Sequence, residues 1–335
     1  MPEQRFLLVR LGSMGDIIHA LPAAAALRDT FPGAQIDWAV EPRWVRLLKG
    51  NSDLNNVIAA NRTSAAGMLA TLKAVRAPRL SCVIDFQALY KSALLAFTSG
   101  APRRIGFTSS YAREGPASIL YTERLNPRGP HKVDHNLTLV MAAGAKKPQH
   151  IRFPLAIDAD DEDLVTRELA KHGLREFFVL NPGGGWVSKC WPAERYGALY
   201  REAVKRFGWR AVVTFGPGEQ HIAQNLIRTA GGPAPTALLL ALGPLMALLK
   251  RAKFVVSADT GPLHLASALG APVVGLYGPT DPVRNGPYSA SDVVVRNPHA
   301  SVTTYRRAAS YSPSMLSITV HQVVAAIERR LERCA

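Results

Sequence analysis

Short apolar runs alternate along the chain with longer segments in which apolar residues recur at helical spacing. In the first half, the apolar runs predict strands at Phe6–Arg10, Ile36–Val40, Val57–Ile58 and Cys82–Asp85. The helical spacing predicts helices near Ile17–Thr30, Ala66–Val75, Ser92–Ser99 and His135–Ala143. This alternation is typical of βα units that build a parallel sheet, so we predict a doubly wound α/β fold.

The alternation restarts after a proline-bounded segment between Pro148 and Pro154. The second set of predicted strands is Phe177–Asn181, Ala211–Phe215, Phe254–Ala258 and Val273–Tyr277. The second set of predicted helices is Asp161–Lys171, Ala193–Arg206, Gln220–Thr229, Leu245–Arg251 and Gly261–Leu269. We therefore predict two domains, 1–150 and 151–319. Within residues 320–335, the amphipathic helix Val320–Glu332 is predicted to fold back across the boundary to the N-terminal domain.

The composition excludes several protein classes. Hydrophobic residues make up 47% of the 335 positions, which argues against disorder. The longest apolar run, Thr236–Leu249, is interrupted by Gly243-Pro244 and is shorter than the roughly 18–20 residues that span a bilayer. The apolar stretch near the start is also too short for a secretory signal, so we expect a cytoplasmic protein. The three cysteines, Cys82, Cys190 and Cys334, lack the spacing of a disulfide framework or a zinc site.

The formal net charge of +15 indicates an anionic partner. Residues 1–150 carry 19 basic and 10 acidic side chains, a balance of +9, and residues 151–335 carry 21 and 15, a balance of +6. Nine basic residues lie between Arg76 and Lys132, against three acidic ones. A solvated basic face is the plain alternative. Nucleic-acid binding is a second alternative, although the aromatic content of 7% gives few stacking residues.

Ligands of open α/β sheets bind beyond the carboxyl ends of the strands, so the loops that follow strands matter most. The first such loop is Leu11-Gly-Ser-Met-Gly-Asp16. It lacks the complete G-x-G-x-x-G spacing of a dinucleotide site, and the carboxylate of Asp16 would repel a pyrophosphate at the helix start. Asp16 is therefore either a general base at a binding site or a helix N-cap.

The loop Asn181–Pro192 follows the first strand of the second half and contains three consecutive glycines and Lys189. Exposed backbone N–H groups beside a lysine predict an anion site. The alternative is a flexible loop with an exposed lysine.

The segment Ser257–Ala266 places Asp259 at a strand end, Thr260 as a helix cap and Pro262 in the first helical turn. The free N–H groups of that turn predict a diphosphate site flanked by Asp259 and His264. Two further loops carry less specific signals. Leu276–Pro282 is either a ligand-binding loop or a turn, and Glu219, in the loop after the predicted strand Ala211–Phe215, is either a ribose ligand or a helix cap. The histidines show no metal-ligand pairing, and we expect no metal.

Together these motifs resemble the ADP-heptose:lipopolysaccharide heptosyltransferases, glycosyltransferase family nine, and most closely its heptosyltransferase I members. The resemblance covers nearly the whole chain. It rests on the segments Arg10–Asp16 with Ile17–Pro22, Val83–Gln87 with Lys91–Ala93, Arg113-Glu114 with Pro116–Ser118, Ala258–His264 and Tyr277–Pro282.

The resemblance implies a GT-B type fold, in which two Rossmann-like domains face each other across a cleft, and inverting transfer of heptose from ADP-heptose to Kdo-lipid A. It implies no cofactor and peripheral association with the cytoplasmic face of the inner membrane. Asp16 is then the candidate base, and Lys189 contacts the donor diphosphate. The implied donor-binding residues are Gly183, Gly184, Ser188, Lys189, Glu219, Asp259, Thr260, Gly261 and His264. The predicted acceptor-binding residues are Ser13, Met14, Gly15, Gln87 and Lys91, together with Arg103, Arg104 and Arg113, which come from the excess of basic residues between Arg76 and Lys132.

One segment departs from the family pattern. Heptosyltransferase I members typically carry a His-Ala-Thr-Thr run before the lysine, whereas this chain has Asn181-Pro-Gly-Gly-Gly185, in the style of heptosyltransferase II. Backbone amides or Ser188 must then replace the threonine hydroxyls. A GT-B enzyme that uses another ADP- or UDP-sugar is therefore an alternative, and the sequence leaves the oligomeric state open.

Overall fold

The computed structural model describes residues 4–76, 79–298, 303–304 and 308–333. The chain divides into unit 1, Met1–Ala156, and unit 2, Ile157–Ala335. The division falls a few residues after the predicted boundary at 150. Cys334 lies outside the described residues.

Within the described part of unit 1, six parallel strands form one sheet in the order β3-β2-β1-β4-β5-β6. The strands are β1 (Arg5–Val9), β2 (Gln35–Val40), β3 (Asn56–Ala59), β4 (Cys82–Asp85), β5 (Arg103–Phe107) and β6 (Glu123–Leu125). The helices are α1 (Met14–Thr30), α2 (Val45–Leu48), α3 (Ala65–Arg76), α4 (Tyr90–Thr98) and α5 (Lys132–Ala142). Two 3₁₀ helices, Pro42–Trp44 and Gly115–Leu120, complete the unit.

The helices of unit 1 cover the sheet through apolar side chains. Helix α1 is almost entirely apolar and is buried over most of its length, as expected for a helix that packs on all sides. Val75 of α3 and Leu95 of α4 join Leu7 and Val83 of the sheet in one core cluster. Strands buried on both faces explain the nearly continuous apolar runs in the sequence.

Within the described part of unit 2, six parallel strands form a second sheet in the order β12-β11-β10-β7-β8-β9. The strands are β7 (Phe177–Asn181), β8 (Arg210–Thr214), β9 (Thr236–Leu238), β10 (Val255–Ala258), β11 (Val273–Leu276) and β12 (Val293–Val295). The helices are α6 (Ala159–Lys171), α7 (Ala193–Phe207), α8 (Gln220–Ala230), α9 (Leu242–Arg251), α10 (Gly261–Ala268), α11 (Pro282–Asn285), α12 (Pro313–Leu316) and α13 (Val320–Glu332). A 3₁₀ helix spans Val187–Lys189.

Helix α13 has the predicted bounds, Val320–Glu332. It packs against α7, β11 and β12, all within unit 2. Val323 and Ile327 lie in the core of that unit, and Arg330 forms a buried ion pair with Asp292 at 2.9 Å. The helix therefore belongs to unit 2.

Both sheets have the same strand order when each is counted from its own first strand, namely 3-2-1-4-5-6. In this order the direction of strand addition reverses between the first and fourth strands, which are β1 and β4 in unit 1 and β7 and β10 in unit 2. Ligands of doubly wound sheets bind beyond the carboxyl ends of strands at this point. The loops that follow these four strands carry most of the predicted motifs. Among the described residues, no helix is long and apolar enough to cross a bilayer.

Candidate active site

Asp16 lies in the first turn of α1, directly after the loop that follows β1. Ser13 occupies the N-cap position, and Met14 and Gly15 precede Asp16 in the helix. Asp16 is thus the third residue of the helix, and the alternative that it is the N-cap is wrong. The Ser13 hydroxyl donates a hydrogen bond to the Asp16 carboxylate at 3.0 Å.

Two cations hold the Asp16 carboxylate. Arg10 Nη2 lies 2.5 Å from Oδ2, and Lys132 Nζ lies 2.5 Å from Oδ1. Burial alone would raise the pKa of Asp16, but Arg10 and Lys132 outweigh it and hold that pKa well below its usual range. Arg10 and Lys132 were not among the predicted site residues. Arg10 could have been found as the cation that ends the first apolar run, whereas Lys132 is 116 positions away from Asp16 in sequence.

The loop that follows β4 positions Arg10. The Phe86 carbonyl accepts a hydrogen bond from Arg10 Nη1 at 2.7 Å, and the Gln87 side-chain oxygen accepts one from the Leu11 amide at 2.8 Å. Asp85 in turn accepts a hydrogen bond from the Gln87 amide at 2.8 Å. The structure therefore brings the predicted residue Gln87 to the loop that precedes Asp16, where its side chain joins the two loops.

A second cluster of cations surrounds Glu41 beside the same loop. Glu41 pairs with Arg43 at 2.9 Å, with Arg62 at 3.0 Å and with Lys91 at 3.4 Å. A side chain at Gly12 would lie 3.5 Å from Glu41 Oε2, which places the cluster next to the loop. Burial opposes ionisation of Glu41, but Arg43 and Lys91 lower its pKa. One carboxylate among three cations leaves a local positive excess at the predicted residue Lys91.

The structure does not bring Arg103 and Arg104 to this site. Both lie at the amino end of β5, opposite the edge that carries Asp16, and Arg103 pairs with Glu123 at 2.7 Å. Strand length puts them roughly 10 to 13 Å from the carboxyl edge, at about 3.3 Å per residue. Their prediction as acceptor ligands is therefore corrected. Arg113 follows β5 at the carboxyl end, is exposed and forms no ion pair among the described residues.

In unit 2, Lys189 meets Asp259 at the corresponding point of the second sheet. Lys189 Nζ lies 2.7 Å from Asp259 Oδ2 and 4.7 Å from the centre of the Trp186 ring. The Lys189 side chain is only 16% exposed, so the alternative of a solvated surface lysine is wrong. Although burial opposes ionisation, the hydrogen bond from His264 and the charge of Lys189 hold the pKa of Asp259 well below its usual range.

Asn285 completes the environment of Asp259 and was not predicted. Its side-chain amide donates a hydrogen bond to Asp259 Oδ2 at 3.2 Å, opposite the 3.1 Å contact of His264 Nε2 with Oδ1. The Tyr277 hydroxyl donates to the Asn285 carbonyl at 3.0 Å and holds α11 in place. The Asp281-Pro282 cap that starts α11 was visible in the sequence, but the direction of the Asn285 side chain was not.

Glu219 links two loops through hydrogen bonds. Its carboxylate accepts hydrogen bonds from the Gly184 amide at 2.9 Å and from the Gly216 amide at 2.8 Å. A side chain at Gly183 would overlap the same carboxylate, which explains the glycine at that position. Glu219 sits at the N-cap position of α8, but its side chain does not cap that helix.

The remaining predicted donor-binding residues lie around the start of α10. Thr260 occupies the N-cap position, yet its hydroxyl lies 3.0 Å from Ser257 Oγ and forms no cap hydrogen bond. The first turn, which begins at Gly261, is therefore left without a side-chain cap. Ser188 is buried, and its hydroxyl has no hydrogen-bond partner among the described residues. A side chain at Gly184 would lie 3.2 Å from Thr260 Cγ2, so the glycine loop adjoins this helix start.

The two units thus offer different chemistry. Unit 1 presents an ionised carboxylate beside cations, which suits proton removal from an anionic substrate. Unit 2 presents a buried cation and an uncapped helix N-terminus, which suit a diphosphate. Among the described residues, no group of three or more His, Cys, Asp or Glu side chains is arranged to hold a metal ion.

Comparison with known proteins finds relatives that match most of the chain. The family model for glycosyltransferase family 9 (heptosyltransferase) matches residues 68–314. The chain is 30% identical to lipopolysaccharide heptosyltransferase 1 of Pseudomonas aeruginosa, over 92% of this chain and 88% of that protein. It is 31% identical to lipopolysaccharide heptosyltransferase 1 of Escherichia coli, over 89% of this chain and 95% of that protein.

A solved structure of an Escherichia coli heptosyltransferase with ADP superposes on the chain with a TM-score of 0.79. The two are 27% identical, and the match covers 98% of this chain and 100% of that one. The predicted α/β fold of GT-B type is thereby confirmed.

Proposed function

Because the chain belongs to glycosyltransferase family 9, we propose that it transfers a heptose from ADP-heptose to the Kdo region of the lipopolysaccharide inner core. The observation that carries this proposal is the pair of sites at the two points where strand order reverses. One site holds the carboxylate of Asp16, and the other holds the cation of Lys189. We place the reaction at the cytoplasmic surface of the membrane that contains the acceptor lipid.

In the proposed reaction, unit 1 binds the acceptor and Asp16 removes the proton of its hydroxyl as that oxygen attacks the anomeric carbon. A low pKa keeps Asp16 ionised but makes it a weak base. The carboxylates of the Kdo acceptor would compete with Asp16 for Arg10 and Lys132. Weaker interactions between Asp16 and these two cations would raise the pKa of Asp16 and make it a stronger base. Acceptor binding and activation of the base are then one event.

Unit 2 binds the donor in this proposal. As the bond between sugar and diphosphate breaks, negative charge grows on the leaving ADP. Lys189 and the uncapped start of α10 at Gly261 would stabilise that charge, which is usually the largest catalytic contribution. The Ser188 hydroxyl, which is buried and has no hydrogen-bond partner in the described part of the chain, offers a further donor in place of the family's threonines.

The pH profile of kcat/KM for the acceptor tests whether Lys132 lowers the pKa of Asp16. Since Lys132 lowers the pKa of Asp16, the wild-type base stays ionised below the ordinary aspartate value of about 3.9. In Lys132→Met that pKa rises, so the loss of activity on acidification should begin at higher pH. Lys171→Met removes an exposed ion pair with Glu168 and should leave the profile unchanged. Identical profiles for all three proteins would contradict the assignment.

Arg113 and Arg103 provide a matched test of the acceptor surface. Arg113→Ala should raise the acceptor KM about fivefold, the effect of losing about 1 kcal/mol from an exposed charge contact. Arg103→Ala should leave the acceptor KM unchanged, since this residue lies at the opposite edge of the sheet. Bisubstrate kinetics on detergent-dispersed Kdo-lipid A would measure both, with the donor KM as internal control. If Arg103→Ala raised the acceptor KM more than Arg113→Ala does, the acceptor would bind at the amino edge of the sheet and our assignment would be wrong.

The function itself is tested by incubating the full chain with Kdo-lipid A and ADP-heptose, or with ADP- and UDP-hexoses in parallel. Mass spectrometry should find one added heptose on the acceptor and an equal amount of released ADP. Transfer from a hexose donor alone would favour the alternative of another GT-B glycosyltransferase. Retention of nucleic acid during purification with no transfer would favour the nucleic-acid alternative.

A further inference from the structure

Six large apolar side chains lie exposed on adjoining elements of unit 1. They are at least half exposed, and Ile119 is 75% exposed. Together they define the α3/α4 surface: Met68 and Leu69 on α3, Tyr90, Leu94 and Phe97 on α4, and Ile119 on the 3₁₀ helix Gly115–Leu120.

The elements of the α3/α4 surface pack side by side. Helix α4 packs against both α3 and the 3₁₀ helix, and Arg76 of α3 donates a hydrogen bond to the Thr98 carbonyl at 2.6 Å. Tyr90, Leu94 and Phe97 recur at helical spacing and share one side of α4. An apolar area that spans three adjoining elements of a folded domain marks an interaction site.

The charges around the α3/α4 surface are predominantly positive, although the Glu114 carboxylate accepts a hydrogen bond from the Tyr90 amide at 2.6 Å. Between residues 61 and 122 the sequence contains eight basic and two acidic side chains, and one of the two, Asp85, is fully buried. Helices α3 and α4 carry Lys73, Arg76 and Lys91 and no carboxylate. The Arg104 guanidinium lies 5.5 Å from the centre of the Phe97 ring, so a cation stands directly beside the apolar side chains.

We propose that the α3/α4 surface docks unit 1 onto a bilayer that contains anionic lipids. Apolar side chains with cations at their margin match the interface of such a bilayer, where the side chains enter the acyl boundary and the cations meet the headgroups. A protein partner would need a complementary acidic surface, whereas a bilayer supplies negative charge over any area. The proposal rests on the proposed function, because a glycolipid acceptor keeps its sugar at a membrane surface.

Vesicle sedimentation with the full chain tests this proposal. Wild type should bind vesicles of phosphatidylethanolamine and phosphatidylglycerol, and should bind phosphatidylcholine vesicles much less. The combined variant Leu69→Ser, Leu94→Ser, Ile119→Ser should lower the partition coefficient at least about tenfold. The matched control replaces three exposed leucines of unit 2, Leu164→Ser, Leu239→Ser and Leu316→Ser, and should bind as wild type does. Added salt should weaken wild-type binding, since exposed charges are screened.

Two outcomes would overturn the proposal. One is equal vesicle binding by wild type and the α3/α4 variant. The other is a wild-type dimer in analytical ultracentrifugation that the α3/α4 variant dissociates with no change in vesicle binding, which would assign the surface to a second copy of the chain.

Sugar transfer to a deacylated, water-soluble acceptor distinguishes a failure of the docking proposal from a failure of the proposed function. Both variants should retain wild-type transfer, because none of the six positions touches the two sites. Vesicle binding without transfer by any protein would refute the proposed function and leave the docking surface standing.

Discussion

Replacing Asp16 with asparagine is expected to lower kcat by at least about 100-fold, the lower range for loss of a positioned general base. Asparagine has nearly the same shape and can still accept hydrogen bonds from Ser13 and Lys132, so the start of α1 should persist. It cannot take up the proton of the attacking hydroxyl. Steady-state transfer from ADP-heptose at saturating concentrations of both substrates would measure the loss.

The control for Asp16→Asn is Asp160→Asn, which changes an exposed aspartate in the first turn of α6. This variant should retain wild-type kcat. Binding of ADP, measured by calorimetry, should be unchanged in Asp16→Asn, because the donor residues lie in unit 2. A kcat within a few-fold of wild type would remove Asp16 from the role of base.

Replacing Lys189 with alanine is expected to lower kcat/KM for the donor by about 100-fold, comparable to loss of one group that stabilises transition-state charge. The diphosphate would lose its nearby cation, and Asp259 would be left as a carboxylate that repels it. His264 and Asn285 still hold Asp259, so the loop should keep its fold. Lys189→Arg keeps the charge and should retain more ADP affinity than Lys189→Ala.

Lys253 provides a closely matched control for Lys189. It also pairs with a carboxylate, Glu176, and lies 5.4 Å from the centre of a tryptophan ring, Trp209. It precedes β10, however, and so lies at the amino edge of the same sheet. Lys253→Ala should leave donor binding and turnover unchanged. Equal losses in both variants would indicate a general effect of breaking a lysine–carboxylate pair and not a role in catalysis.

The fold was largely predictable because strands buried on both faces produce apolar runs of strand length. Strand β4 has the predicted bounds, Cys82–Asp85, and α13 has the predicted bounds as well. Strands β5 and β6 were missed because two arginines open the first and the second has only three residues. Strands β9 and β12 also have only three residues each and were missed as well. Strands this short form by pairing with a neighbouring strand and show no clear pattern of their own.

The candidate site was predictable as a set of loops but not as a set of contacts. Loops after parallel strands share one edge, so Lys189 and Asp259 were expected near one another. The pairing of Lys132 with Asp16 joins elements at opposite ends of unit 1 in sequence, and no local spacing reveals it. Arg103 and Arg104 were misplaced because a count of charges along a chain ignores which end of a strand each residue occupies.

The shared strand order of the two sheets means that the chain contains one architecture twice. In each copy the loop after the first strand bears the decisive charge: Asp16 after β1 and Lys189 after β7. Corresponding places in the two units thus carry opposite charge, one suited to accepting a proton and the other to holding a phosphate. If each unit recognises one substrate, as in the proposed reaction, a chimaera that exchanges one unit should change the acceptor or the donor without rebuilding the other half.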